Sequence, residues 1–168
     1  MSIELGFVRG LRFAAIIAAT LTLGACASQS DNAGDGAGGL GGAGAATPGS
    51  QQDFVVNVGD RIFFTSDSSD VNAEARATLD RQAGWLAKYP RYAVTIEGHA
   101  DERGTREYNI ALGARRAAAT RDYLIARGVP STRLKTISYG KERPVAVCDA
   151  ESCWNQNRRA VTVLGGAN

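Results

Sequence analysis

Between residues 93 and 127 the residue pattern changes period, and that change limits the folds open to the chain. Ala93, Val94, Thr95 and Ile96 are small or β-prone and read as a strand. Gly98 interrupts it, and residues 101–104 form a polar turn. A helical pattern then begins near Thr105 and runs to about Arg127. A strand handing over to a long helix requires a sheet for the first and a sheet face for the second. The charged, glycine-bounded turn between them is a natural place for ligand groups, because backbone N–H groups at a helix start lack partners and attract anions.

The rest of the domain reads around this unit. Residues 61–65 are a short apolar, aromatic strand, and residues 66–70 a turn with N-capping residue types. Residues 71–89 are helical, with Ala75, Leu79, Ala83 and Leu86 at spacings of four, four and three before Pro90 stops the run. Trp85 is expected at the edge of the core. Gly113, Ala117 and Leu124 mark the packing face of the second helix, and Gly128 is positioned to cap its end. Residues 134–138 and 160–164 supply two more strands. The order β-α-β-α-β-β predicts an α+β, two-layer domain over residues 53–168, its helices on one face of a small mixed sheet. That length supports a core without metal or oligomer.

Three blocks in this region stand in a recognisable order. The first is Glu97-Gly98-His99-Ala100-Asp101-Glu102-Arg103-Gly104, followed by Tyr108-Asn109, Leu112-Gly113 and Arg115-Arg116-Ala117. The second is Ser138-Tyr139-Gly140-Lys141-Glu142 with Pro144, and the third Asn157-Arg158-Arg159-Ala160-Val161. Together they resemble the OmpA-like peptidoglycan-binding domain. That resemblance implies binding, not catalysis, with no cofactor and no metal. In the family an Asp and an Arg hold the free amino-acid end of meso-diaminopimelate in the peptidoglycan stem peptide; the matching positions are Asp101 and Arg116. Gly98, His99, Ala100, Asn109 and Leu112 belong to the same matched block and are carried into the site with them. Taken alone, His99 reads as a loop-packing residue, and Glu102 and Arg103 as solvated turn charges.

The chemistry suits that ligand. A zwitterionic end needs an acceptor for its ammonium and donors for its carboxylate, and Arg offers a planar fork that Lys cannot copy. Asn109 and Arg116 are seven apart and share a helix face with Gly113, which would admit a ligand or a backbone at close range. The resemblance also places the end of the first strand, Phe63-Phe64-Thr65, beside the pocket. On this reading Arg116→Ala loses wall binding with the fold intact. Arg158 and Arg159 have two readings: partners of acids near the recognition turn or supports of the pocket, or a basic strand edge that deters aggregation.

Ahead of the domain, Arg9 and Arg12 precede an apolar run over residues 13–23, the pattern of a secretory leader over residues 1–25. Leu23-Gly24-Ala25-Cys26 resembles a bacterial lipobox, which implies cleavage before Cys26 and lipid on its sulfur and new amino end. Several acyl chains at about 0.8 kcal/mol per buried methylene make such an anchor effectively permanent. Ala27, rather than Asp, follows, which resembles an outer-membrane address. Residues 26–52 are a Gly/Ala-rich stretch that buries too little to order itself, a tether with an end-to-end distance of about 25–30 Å. Export places Cys148 and Cys153 in an oxidising compartment; with Cys26 lipidated they are an even pair, expected to form a disulfide that staples its loop and leaves binding alone.

The net charge is +2, and losing Arg9, Arg12 and Glu4 with the leader leaves +1, with both signs mixed through the domain. That excludes a nucleic-acid footprint. Glu97 and His99 share a strand face, yet no second His, metal set or thiol nucleophile completes a hydrolase. The expectation is therefore a lipid-anchored protein on the periplasmic face of the outer membrane, gripping the wall. The resemblance implies the Tol envelope system as its setting, with the propeller protein TolB, and TolA, as partners, and a part in constriction at division. The alternative is a wall-binding lipoprotein accessory outside that system.

Overall fold

A computed structural model describes residues 46–167. The leader, Cys26 and the tether up to residue 45 lie outside the described residues.

Four strands form one mixed sheet: β1 (Arg61–Phe63), β2 (Tyr92–His99), β3 (Leu134–Gly140) and β4 (Arg159–Ala167), in the order β1-β4-β2-β3. β4 runs antiparallel to β1 and β2, while β3 runs parallel to β2. Val94 lies opposite Leu164 and Leu134, and Ile96 opposite Thr162 and Thr136. The strand period sends Val94 and Ile96 inward with Ile62, Ala160 and Leu164, where α2 (Ala73–Lys88) and α3 (Arg106–Ala126) cover them. α2 turns Ala75, Leu79, Ala83 and Leu86 inward at the spacing visible in the sequence, with Gln82 and Trp85 buried beside them.

Both helices begin and end on local chemistry. The Asn72 side chain accepts from Ala75 N at 2.8 Å, and Thr105 accepts from Tyr108 N at 3.2 Å. At the end of α3, Gly128 adopts φ +92°, which only glycine takes without strain; its N–H donates to Ile125 O and the N–H of Val129 to Leu124 O. The cap turns the chain back toward β3.

Two elements differ from the sequence expectation. Residues 47–52 do not continue the tether: residues 47–50 turn, and α1 (Gln51–Asp53) leads into a π-helical stretch, Phe54–Val58. Asp53 holds this segment in place, accepting from the Trp85 indole at 2.8 Å and from Gly49 N at 2.8 Å, while Tyr92 donates its hydroxyl to Gly49 O at 2.7 Å. Trp85 packs against Phe54, Tyr89 and Tyr92, at the core edge as expected. The second difference is α4 (Glu151–Asn157) between β3 and β4, where the sequence suggested only a stapled loop. It has seven residues, no side-chain N-cap and no apolar stripe, so periodicity carries no trace of it.

Candidate ligand site

A pocket of about 280 Å³ opens where the β1–α2 loop meets the β2–α3 turn and the first turns of α3. Ser66 and Asp67 form one wall; Asp101, Arg103 and Gly104 form another; Tyr108, Asn109 and Leu112 come from α3. Asp67 is the one non-glycine residue with positive φ among those described, at +54°, and Tyr108 donates its hydroxyl to it across the pocket mouth.

Asp101 carries the more buried of the pocket's two carboxylates, Asp67 being the other, with its side chain only 9% exposed. Arg103 Nη2 donates to Oδ2 at 2.7 Å and its Nε to Oδ1 at 3.2 Å; the Arg103 backbone N–H adds 3.1 Å to Oδ1. Arg158 Nη1 donates to Oδ2 at 3.2 Å. Burial alone would raise the Asp101 pKa, but hydrogen bonds from Arg103 and Arg158 and the Arg103 charge together outweigh it and hold the group below 3.8. The carboxylate is thus ionised at neutral pH.

Arg116 lies behind the pocket and is 0% exposed. Its Nε donates to Ser68 O at 2.8 Å, Nη1 to His99 O at 2.8 Å and Nη2 to Thr65 O at 3.2 Å, so it ties the β1–α2 loop to the end of β2. Its guanidinium carbon stands 5.2 Å from the centre of the Phe64 ring. Burial pushes its pKa down to about 10, partly countered by the charge of Asp101. Three of its five N–H groups serve the backbone, which leaves one on each Nη.

The structure brings Asp101, Asn109 and Leu112 to the pocket and sets Gly98, His99, Ala100 and Arg116 behind it. Asn109 braces the turn, donating from Nδ2 to Arg103 O at 2.8 Å. Gly98 packs on Gly113, so the close approach on that helix face is to backbone. Ala100 N donates to Gly140 O at 2.8 Å. His99 is 2% exposed, and neither ring nitrogen has a hydrogen-bond partner.

The second and third motif blocks brace the first. Lys141 Nζ donates to Glu102 O at 3.0 Å and Gly104 O at 2.7 Å, and Ser138 Oγ to Ile110 O at 2.7 Å. Of the two readings of the arginine pair, Arg158 takes the first: it joins Asp101, Glu151 and Phe64 O. Arg159 lies buried on the sheet and donates to Arg143 O at 3.2 Å.

Sequence reasoning missed the part played by α4. Cys148 and Cys153 form the expected disulfide, and the stapled segment runs into α4. There the Trp154 indole donates to Glu102 Oε1 at 2.9 Å, and the Arg103 guanidinium stacks 4.3 Å above the Trp154 ring. The staple therefore reaches the recognition turn. An indole in a short polar segment before the third motif block was the one visible signal.

These features define a small α+β binding domain with an acid-centred pocket at a strand-to-helix turn. Residues 63–159 match the OmpA family. A peptidoglycan-associated lipoprotein of Rhizobium meliloti (strain 1021) is 76% identical over 149 residues, 88% of this chain and 84% of the relative. Its namesake in Pseudomonas aeruginosa is 43% identical over 157 residues, 88% of this chain and 93% of the relative. The crystal structure of the peptidoglycan-associated lipoprotein from Burkholderia pseudomallei superposes with a TM-score of 0.62 at 42% identity, covering 63% of this chain and 90% of that one. The C-terminal domain of Helicobacter pylori MotB gives 0.60 at 26% identity, covering 64% and 84%. The chain belongs to the OmpA family, among its peptidoglycan-associated lipoproteins.

Proposed function

We propose that this chain binds peptidoglycan without covalent linkage by holding the zwitterionic end of meso-diaminopimelate over Asp101. The observation that carries the reading is an ionised, nearly buried carboxylate on the wall of an open polar pocket, flanked by guanidinium groups. The ligand's ammonium goes to Asp101. Its carboxylate meets the positive field of Arg116 from behind the wall, and Asn109 keeps the turn in shape. The names of the relatives support the ligand class.

The reading is binding without turnover. His99 is buried outside the pocket, and Glu97 does not line it, so neither is placed to act on a bound glycan or peptide.

The remaining parts complete an anchor. Residues 1–25 serve as the leader, lipid on Cys26 holds the periplasmic face of the outer membrane, and the Gly/Ala-rich stretch spans the gap to the wall. The setting is the Tol-Pal system, with TolB and TolA as partners during envelope constriction.

The test is co-sedimentation of the purified chain, in detergent micelles, with intact sacculi. Binding is expected in the parent protein, competed by free meso-diaminopimelate and lost in Asp101→Asn. Retention of Asp101→Asn on sacculi would overturn the assignment of the pocket. A TolB pull-down separates the Tol-Pal setting from a wall-binding accessory outside it.

A further inference from the structure

Asp101 is held by two cations of different character. Arg158 is 3% exposed and fixed, with its other donors on Phe64 O, Glu151 and Asn155. Arg103 is 43% exposed, lines the pocket, and covers Asp101 with two side-chain donors. Arg103 thus occupies the place an incoming ammonium would need. Water reaches the Arg103 end of this pair and screens it, whereas Arg158 is closed off, so Arg103 is the cation that can leave.

It also has somewhere to stay. Arg103 Nη2 donates to Ser66 Oγ at 2.9 Å, and the guanidinium lies 4.3 Å from the centre of the Trp154 ring. Those contacts keep it at the pocket mouth after it releases Asp101. Arg116 contributes charge from within the wall but shows no surface to the pocket. The exposed fork at this site is Arg103.

We propose that Arg103 is the specificity-determining residue of this pocket, a displaceable counter-ion that yields to an ammonium–carboxylate pair and not to an ammonium alone. The proposal rests on the reading that the pocket takes an amino-acid end. A lone ammonium exchanges one ion pair at Asp101 for another and gains nothing further, because the guanidinium falls back on Ser66 and Trp154 with no new anion to meet. A zwitterion opens the Asp101–Arg103 pair and closes two: its ammonium on Asp101 and its carboxylate on the Arg103 fork, which is shaped for bidentate donation. The Asp101–Arg103 pair thereby disfavours simple amines and lysine-type ends, and selects a side chain that ends in both charges.

Two probes differ in that one carboxylate: the tripeptides L-Ala-γ-D-Glu-meso-diaminopimelate and L-Ala-γ-D-Glu-L-Lys. Calorimetric titration of the full chain in micelles should show a preference of about tenfold or more for the first, the worth of a charge-assisted hydrogen-bond pair. Arg103→Gln should reduce that preference to roughly twofold or less by weakening the diaminopimelate peptide, and Arg103→Lys should restore part of it. Arg106→Gln, an exposed arginine outside the pocket, should keep the full preference. Thermal midpoints confirm that the variants are folded. Undiminished discrimination by Arg103→Gln, with Asp101→Asn binding neither peptide, would overturn the role of Arg103 and leave the pocket assignment standing. Equal binding by parent and Asp101→Asn, or no binding by the parent, would overturn the assignment and this proposal with it.

Discussion

Gly98 of β2 and Gly113 of α3 meet backbone to backbone. A Cβ on Gly98 would stand 1.8 Å from the Gly113 carbonyl oxygen, and one on Gly113 would stand 2.4 Å from Ser138 Oγ and 2.8 Å from the Gly98 carbonyl oxygen. This contact seats the first half of α3 on the sheet directly behind the pocket. Gly98→Ala is therefore expected to cost about 3 kcal/mol or more, since the obstacle is backbone that cannot step aside. Gly84, in α2, has open space around it, and Gly84→Ala is expected to stabilise by about 0.5–1 kcal/mol. Urea denaturation of the two variants should move in opposite directions.

Arg116 has a second job that alters how its substitution reads. Removing the side chain leaves His99 O without its donor inside the protein, and Thr65 O and Ser68 O without theirs at the partly buried β1–α2 loop. An unpaired buried carbonyl costs about 1–3 kcal/mol, and the two loop carbonyls can turn to water, so Arg116→Ala is expected to lower stability by about that amount. Thermal denaturation should show it, in contrast to the sequence reading in which only binding suffers. A small loss would mean that water enters and replaces the guanidinium.

The sequence exposed those elements whose residues repeat. The α2 stripe from Ala75 to Leu86, the strand from Ala93, and Gly128 closing α3 all follow from local rules and recur in the structure. Asp101 and Asn109 were legible as pocket residues because the motif block names them. The burial of Arg116 was not, because it depends on loop carbonyls dozens of residues away. The Arg103–Trp154 stack and the seat of residues 47–53 on Trp85 and Tyr92 were hidden for the same reason: each is a tertiary contact of a short, non-periodic segment. Pairing at Cys148 and Cys153 could be inferred from parity, but its reach toward Glu102 could not.

The disulfide should matter to binding as well as to stability. A seven-residue helix without a side-chain cap is marginal on its own, and Cys153 ties it to Cys148. Replacing both cysteines by serine is expected to cost about 2 kcal/mol in the chain-entropy picture. Fraying of α4 would also release Trp154 from Glu102 and Glu151 from Arg158, loosening the group that holds Asp101. Sacculus affinity is then expected to fall a few-fold, and Trp154→Ala should reproduce the fall with the disulfide intact. Sedimentation isotherms for both variants decide it; unchanged binding would show that the staple and the pocket are independent.

His99 makes stability sensitive to mild acid. Burial, aided by the charges of Arg159 and Arg143, lowers its pKa from 6.5 to about 4. Glu97 Oε2 stands 3.6 Å from Nε2, too far for the hydrogen bond that would retain a proton. Between pH 6.5 and 4 the unfolded chain takes up a proton at this residue and the folded chain does not. The contribution is therefore complete above pH 6.5 and is lost as pH falls toward 4, a change on the order of 3 kcal/mol. Asp101 acts lower: its carboxyl is held below 3.8, so its share persists until the pH drops beneath that value. Urea denaturation across this range should give a falling stability for the parent protein and a flatter profile for His99→Gln. Parallel profiles for the two would mean that His99 is protonated in the folded state.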